Sequence, residues 1–434
     1  MSAASILRRL DLRGRGGDLR EHLPRPDVVA GGPVAAVHEI LAEVRDHGDD
    51  AVRALTERFD GASIDSLRVP PAEGEAALKQ LPPSLRDAME ASRAAILSYH
   101  RRTLPVDQYH ERDGIVVGDL CRPVDRAGLY VPGGRARYPS TVLMTAIPAR
   151  VAGVPEVVLC TPPEKDGSVD GATLAAAALA GVDEVYRIGG AQAIAAMAYG
   201  TETIRPVDIV VGPGNVYVSI AKREVAQAGL VGVPSAFAGP SEVVVIADET
   251  APSDFAAIDV IVQAEHGPDG LAWLVTWSEE AADRITEAIA RLTADAPRRR
   301  EIQANFAGGG YCVLVDGPEQ AMEVANVVAP EHLELMTRDP QALVPLVRNA
   351  GAVFCGSYAP ASVGDYLAGP SHVLPTNGSA RFSSALRAQD FCKQIHVVSL
   401  DQSSLSKVAP HVAALAEAEG LPAHAQSVRL RESS

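Results

Sequence analysis

The stretch Gly128-Leu129-Tyr130-Val131-Pro132-Gly133-Gly134 decides how the chain folds. Four residues of strand character run into a proline and two glycines, and a helical pattern follows from Thr141 to Ala152. The same succession recurs downstream. Val157-Val158-Leu159-Cys160 precedes an alanine-rich helix, Ala172 to Ala180. The strand Glu184 to Ile188 meets Gly189-Gly190 and then a helix from Ala191 to Tyr199. The strand Asp208 to Val211 ends at Gly212-Pro213-Gly214-Asn215, again ahead of a helix. Strands and helices alternating at this spacing predict βαβ units in a parallel sheet with helices on both faces. Three of these strands end in glycine turns, which a parallel sheet gathers on its C-terminal edge, where open α/β sheets bind ligands. Such turns suit a phosphate-bearing cofactor, because backbone N–H groups and helix N-termini face the ligand. A G-x-G-x-x-G fingerprint is absent: Gly212-x-Gly214 lacks the third glycine and the acidic ribose partner.

Working outward, a second α/β run begins at Glu242-Val243-Val244-Val245-Ile246-Ala247. It continues with a helix at Ser253–Ala264, strands at Leu271–Thr276 and Tyr311–Val315, a helix at Ala321–Val328 and a strand at Ala352–Cys355. Upstream, a helical pattern from Pro33 stops at Gly48, and Asp49 can cap a second helix that ends near Gly61. A long amphipathic run covers Pro83 to Arg102, and residues 109–124 predict a hairpin turning at Arg112-Asp113-Gly114. The chain closes with a short strand, Ile395-His396-Val397-Val398, one long helix from Ser406 to Glu419, and a tail. Residues 1 to about 28 are arginine-rich and must pack on something else.

Composition limits the functions on offer. The chain has 434 residues, 47% of them apolar and 22% charged, so large cores are available and disorder is not. The formal net charge of −16 disfavours nucleic acid and anionic membrane as partners. Five cysteines lie far apart with no CxxC pair, which fits a reducing compartment better than a disulfide framework. Arg8, Arg9, Arg13 and Arg15 are not followed by a signal-peptide core, and no segment approaches 18 uninterrupted apolar residues. The expectation is a soluble cytoplasmic protein.

Several polar groups could carry chemistry. In Pro330-Glu331-His332-Leu333 a carboxylate and an imidazole are neighbours at a helix-to-strand junction. Both can exchange protons near neutral pH, although an isolated pair is equally compatible with a surface loop. Gln263 and His266 share a face at the end of a helix and could hold a metal, or His266 could simply complement the helix dipole. Asp365 and His372 lie in one Gly/Pro-rich loop, where Asp365 could equally cap a turn. Glu419 and His424 sit at the end of the last helix, a place normally solvated. Gly239-Pro240-Ser241-Glu242 puts a serine ahead of a strand, unlike a serine-hydrolase elbow.

Taken in order, these stretches resemble the histidinol dehydrogenase family. The motifs are Gly128 to Gly134, Gly189-Gly190-Ala191-Gln192-Ala193-Ile194-Ala195, Gly212 to Asn215 and Ala238-Gly239-Pro240-Ser241-Glu242. Further on come Gln263-Ala264-Glu265-His266-Gly267, Ala329 to Leu333, Gly364-Asp365-Tyr366 and His372-Val373-Leu374-Pro375-Thr376. Their order holds from about residue 30 to His424. The resemblance implies an NAD-linked oxidation of L-histidinol through histidinal to L-histidine, with two NAD reduced in turn and one zinc ion per subunit. It implies Glu331 and His332 as the catalytic pair, with Gln263, His266, Asp365 and His424 as zinc ligands. His424 would come from the partner of a homodimer with shared active sites. Ser241, His332, His372, Glu419 and the zinc ligands would surround the substrate, and Tyr130, Gln192 and Asn215 would contact NAD. The fold implied is α/β, with two Rossmann-like, aldehyde-dehydrogenase-like domains and small N- and C-terminal extensions in an intertwined homodimer. The expected division is 1–28 as an extension, 29–127 with 242–386 as the zinc and catalytic domain, 128–241 as the NAD-associated domain, and 387–434 as a tail reaching the partner. Two rivals are an enzyme with Cys355 as nucleophile, in a strand expected to be buried, and a non-catalytic zinc- or imidazole-binding protein.

Overall fold

The structure, a computed structural model, describes residues 6–24, 33–133, 137–234, 239, 241–268 and 270–432. Gly134 of the first motif, and Ala238 and Pro240 of the fourth, lie outside the described residues. So does part of the 1–28 extension.

The strands in chain order are β1 (Arg8–Asp11), β2 (Arg68–Val69), β3 (Gln108–Arg112), β4 (Ile115–Pro123) and β5 (Arg126–Tyr130). Next come β6 (Glu156–Thr161), β7 (Glu184–Arg187), β8 (Ile209–Val211), β9 (Glu242–Ala247) and β10 (Leu271–Thr276). The last are β11 (Gly310–Leu314), β12 (His332–Met336), β13 (Ala352–Cys355) and β14 (Cys392–Leu400). They form a five-stranded sheet in the order β2-β7-β6-β5-β8, a six-stranded sheet in the order β1-β11-β10-β9-β12-β13, and a three-stranded sheet in the order β14-β4-β3.

The first two sheets follow one plan. In the five-stranded sheet the chain steps β5, β6, β7 in one direction and then places β8 on the other side of β5. These four strands are parallel, and only β2 runs against them, on the edge. The six-stranded sheet steps β9, β10, β11, then places β12 on the other side of β9, and all its pairings are parallel. Each sheet therefore has a reversal of strand order, between β5 and β8 in one and between β9 and β12 in the other. Helices cover both faces, which is why β9 is apolar after its first residue and buried along its length.

The pairings redistribute three of the expected segments. Residues 34–104, expected with the unit of 242–386, lie on the five-stranded sheet instead. Helix Val34–Asp60, broken at Gly48 where φ is 53° and ψ is −130°, packs on helix Gly190–Tyr199. Its Val37, Ile40, Leu41 and Val44 enter the core around Tyr130 and Ile188. β2 pairs with β7, and helix Pro83–Thr103 packs on helix Pro139–Ala152. The N-terminal segment is not an appendage: β1 pairs with β11 (Arg8 opposite Tyr311), while Leu12, Leu19 and Leu23 enter the core beneath Trp273. Finally, the long helix and tail are a two-helix hairpin, Gln402–Ala418 and Pro422–Glu432, turned at Gly420 with φ 74°.

Candidate active site

The two large units meet edge to edge. Ser371 donates to the Met144 carbonyl at 3.0 Å, and Gly239 N–H donates to the Thr376 hydroxyl at 2.8 Å. Met144 lies along the helix Pro139–Ala152 that follows β5, and Thr141 in the first turn of that helix, 3.0 Å from His372 Nε2, marks the C-terminal edge of the five-stranded sheet. The residues of the six-stranded unit gathered here stand at the opposite edge, the N-terminal ends of β9 and β12. Ligands in open α/β sheets usually sit at C-terminal ends. The acid–base groups of this chain thus lie on the other edge, facing the C-terminal edge of the neighbouring sheet.

Helix Pro318–Val328 ends at Ala329, whose φ of 53° is left-handed, and Pro330 follows. This turn delivers Glu331 just before β12 and makes His332 its first residue. Both are buried, at 7% and 3% exposure. The backbone of Glu242 fixes them: its N–H donates to Glu331 Oε2 at 2.9 Å, and its carbonyl lies 3.1 Å from His332 Nδ1. A carbonyl only accepts, so Nδ1 carries a hydrogen and Nε2 faces the site. His332 Nε2 lies 3.5 Å from Asp365 Oδ1, and Nδ1 lies 3.5 Å from Glu331 Oε2. Burial disfavours the imidazolium, but the carboxylates of Glu331 and Asp365 outweigh it and raise the His332 pKa well above the usual value. For Asp365, burial works upward, yet the His332 hydrogen bond and the charges of His332, His372 and His266 hold it below the usual carboxylate range.

Glu242 has no role in the sequence reading beyond its place in a motif. Its own carboxyl is buried, accepts from Asn377 N–H at 2.9 Å, and is pushed up to about 8 by burial and the nearby Glu331 charge. The only sequence signal was a charged residue opening an otherwise apolar strand.

His372 Nδ1 donates to the Asp365 carbonyl at 2.9 Å, and its Nε2 lies 3.0 Å from the Thr141 hydroxyl. Burial lowers its pKa. Gln263 ends helix Ser253–Ala264 and is 2% exposed, and neither atom of its amide has a hydrogen-bond partner. His266 is exposed, with Nδ1 3.2 Å from the Val262 carbonyl, so its Nε2 points away from the helix. Ser241 is half-buried just before β9. Glu419 and His424 stand apart: both are exposed on the C-terminal helical hairpin, and a single chain does not bring them to the other groups.

Among the described residues no three His, Cys, Asp or Glu side chains are gathered as a metal site would need. The expected ligand set puts only two such side chains, His266 and Asp365, on this chain's own site, because Gln263 is an amide and His424 belongs to the hairpin. The buried, unpartnered amide of Gln263 fits a ligand role, since such a group ordinarily finds a partner.

The glycine turns gather at the C-terminal edge of the five-stranded sheet. Tyr130 ends β5, is buried, and accepts from Gly190 N–H at 3.1 Å. Gln192, in the first turn of helix Gly190–Tyr199, is 1% exposed with both amide atoms unpartnered. Asn215 caps helix Val216–Gln227 by accepting from Val218 N–H at 3.1 Å. Lys222, buried on that helix, donates to the Gly212 carbonyl. Cys355 is half-buried rather than buried, and burial raises its pKa, which keeps the thiol protonated and weakens it as a nucleophile.

A family model described as histidinol dehydrogenase matches residues 25–432. The chain belongs to the histidinol dehydrogenase family. It is 49% identical over 403 residues to the histidinol dehydrogenase of a Synechococcus species, with 92% of each chain covered. It is 46% identical over 413 residues to that of Methanothermobacter thermautotrophicus, with 95% of each chain covered. The crystal structure of histidinol dehydrogenase from Elizabethkingia anophelis superposes with a TM-score of 0.94 at 33% identity, covering 99% of this chain and 98% of that one. Membership of the histidinol dehydrogenase family makes the chain an oxidoreductase acting on a small molecule. Among the described residues no helix is long and apolar enough to cross a membrane.

Proposed function

We propose that this chain oxidises L-histidinol to L-histidine by way of histidinal, reducing two NAD in turn, in the last steps of histidine biosynthesis. The observation that carries the reading is the anchoring of Glu331 and His332 to the backbone N–H and carbonyl of one residue, Glu242, with His332 Nε2 beside Asp365.

The Tyr130, Gln192 and Asn215 edge, in a Rossmann-like unit, would hold NAD, which would supply the hydride acceptor. This edge includes the reversal of strand order between β5 and β8, where such sheets form a ligand crevice. Gln263, His266 and Asp365, with His424 from a partner subunit, would hold zinc, which would supply a positive charge beside the substrate. In its neutral form His332 keeps its hydrogen on Nδ1, against the Glu242 carbonyl, and presents a free Nε2. Its Nε2 then takes the hydroxyl proton as the alcohol is oxidised, while Nδ1 stays on the Glu242 carbonyl. Glu331, held through Oε2, takes a proton from the water that adds to the aldehyde, so that a second hydride can leave. Ser241, His372 and Glu419 complete the substrate enclosure, and the Asp365 carbonyl and the Thr141 hydroxyl fix the ring of His372.

A homodimer accounts for the C-terminal hairpin. Its Leu415 is 67% exposed, and Val398 on the adjoining sheet is 65% exposed, which is costly unless a second surface covers them. The deciding experiment is product stoichiometry. Two NADH per histidine are expected from the parent chain. Glu331→Gln is expected to bind histidinol yet lose histidinal oxidation by at least a hundredfold. A Glu331→Gln enzyme that oxidises histidinal at the parent rate would remove the residue from the mechanism.

A further inference from the structure

Two acidic side chains outside the catalytic and zinc groups are buried directly behind them. Asp259 is 6% exposed and Glu334 is 2% exposed. Asp259 lies one helical turn before Gln263 and so on the same face of helix Ser253–Ala264. Glu334 lies two residues beyond His332 and so on the same face of β12. Each carboxyl is close enough to act on the other. Glu334 Oε1 also accepts, at 3.2 Å, from the N–H of Ala361, the first residue of the short helix Ala361–Tyr366 that carries Asp365.

One contact therefore joins three elements, each bearing one site residue: Gln263 on the helix, His332 on the strand, Asp365 on the short helix. We propose that Asp259 and Glu334 form a proton-sharing carboxyl clamp that sets the spacing of Gln263, His332 and Asp365. They are positioning residues; neither touches substrate in this reading. Two carboxylates in contact away from water cannot both be ionised, so one proton must lie between them. Burial raises both groups, each acts on the other, and the charge of His332 is the further ionic influence on Glu334. With that proton between the carboxyls and the Ala361 N–H on Glu334, the contact is directional and stiff, which an apolar contact at the same place is not.

The clamp rests on the functional reading above, and the test separates the two. Infrared difference spectra of the full chain against Glu334→Gln at neutral pH are expected to show one protonated-carboxyl band that the variant lacks, the band of Glu242 being common to both. In the variant the amide donates to an ionised Asp259 and still accepts from Ala361. Glu334→Gln is therefore expected to retain Zn2+ against a chelator, and kcat/KM for histidinol, within about threefold. Glu334→Met, of similar volume but unable to hydrogen-bond, is expected to lose about ten- to a hundredfold in both, the range for groups that orient metal ligands. Equal behaviour of the Gln and Met variants overturns the clamp, as does a parent spectrum without the band. If Glu334→Met does not fold, the infrared comparison decides alone. A parent chain that never oxidises histidinol would instead overturn the functional reading, on which the infrared result does not depend.

Discussion

Glu242 shows how much one residue can hold. Its backbone N–H and carbonyl anchor both members of the Glu331–His332 pair, and burial pushes its carboxyl up to about 8. The sign of the resulting pH dependence follows. The folded value, about 8, lies above the ordinary carboxyl value of 4.5, so the native state holds more protons between them. Stability is full below the lower value and falls as pH rises through the upper one. Urea unfolding of the parent is expected to show this decline between about pH 5 and about pH 9, and Glu242→Gln is expected to flatten it. Catalytic residues were legible one at a time only as candidates: Glu331 and His332 looked no different from a surface pair until their burial was known. Gln263 was legible only as a possible partner of His266, three residues on along one helix face. The part played by Glu242 was not, because it acts through backbone atoms that every residue possesses.

Elements were more legible than sites. β9, helix Ser253–Ala264, β10 and β13 run between the residues that periodicity and turn chemistry select. β1 was not legible, because Arg8-Arg9-Leu10-Asp11 has little strand character and gains it only from β11, far along the chain. The long helix expected at Ser406–Glu419 runs from Gln402 to Ala418, the tail adds a second helix, Pro422–Glu432, and the turn between them lets Ala409, Ala413, Ala416, Ala425 and Val428 form their own small cluster. Two glycines at element ends give opposite predictions. Gly212 follows β8 with φ 112°, and a Cβ there would run into the Tyr130 carbonyl, so Gly212→Ala should raise KM for NAD at least tenfold and leave zinc content unchanged. Gly351 precedes β13, and a Cβ there would lie 2.6 Å from the Glu331 carbonyl oxygen. Gly351→Ala should therefore lower kcat at least tenfold while KM for NAD stays within about twofold. Steady-state kinetics on the two variants separates the cofactor edge from the catalytic edge, and a reversed pattern would contradict the assignment.

At the scale of the molecule, the expected α/β class is observed, and what the sequence could not convey is which sheet edges face each other. Periodicity reports a strand's partners in the core, whereas the meeting of two edges depends on contacts such as Ser371 with Met144, distant in the chain. The shared-site reading makes a prediction at this scale. His424→Ala and His332→Ala chains should each be inactive. After verified subunit exchange, their mixed dimers should recover up to about one quarter of parent activity, since one of two composite sites regains both groups in half of the molecules. No recovery would place His424 in its own chain's site or in none.

The pairing of β1 with β11 has a consequence for how the protein is made. Arg8 emerges from the ribosome early, and its partner Tyr311 roughly 300 residues later. At roughly 5–20 residues per second, the edge of the six-stranded sheet stays open for on the order of 15–60 s. The strands of the five-stranded sheet are all present by about residue 232, so that sheet can pair first and leave the N-terminal segment waiting. A nascent chain arrested before β11 should hold the paired strands of the five-stranded sheet and a cleavable N-terminus, so the growing polypeptide needs protection at its beginning for longest.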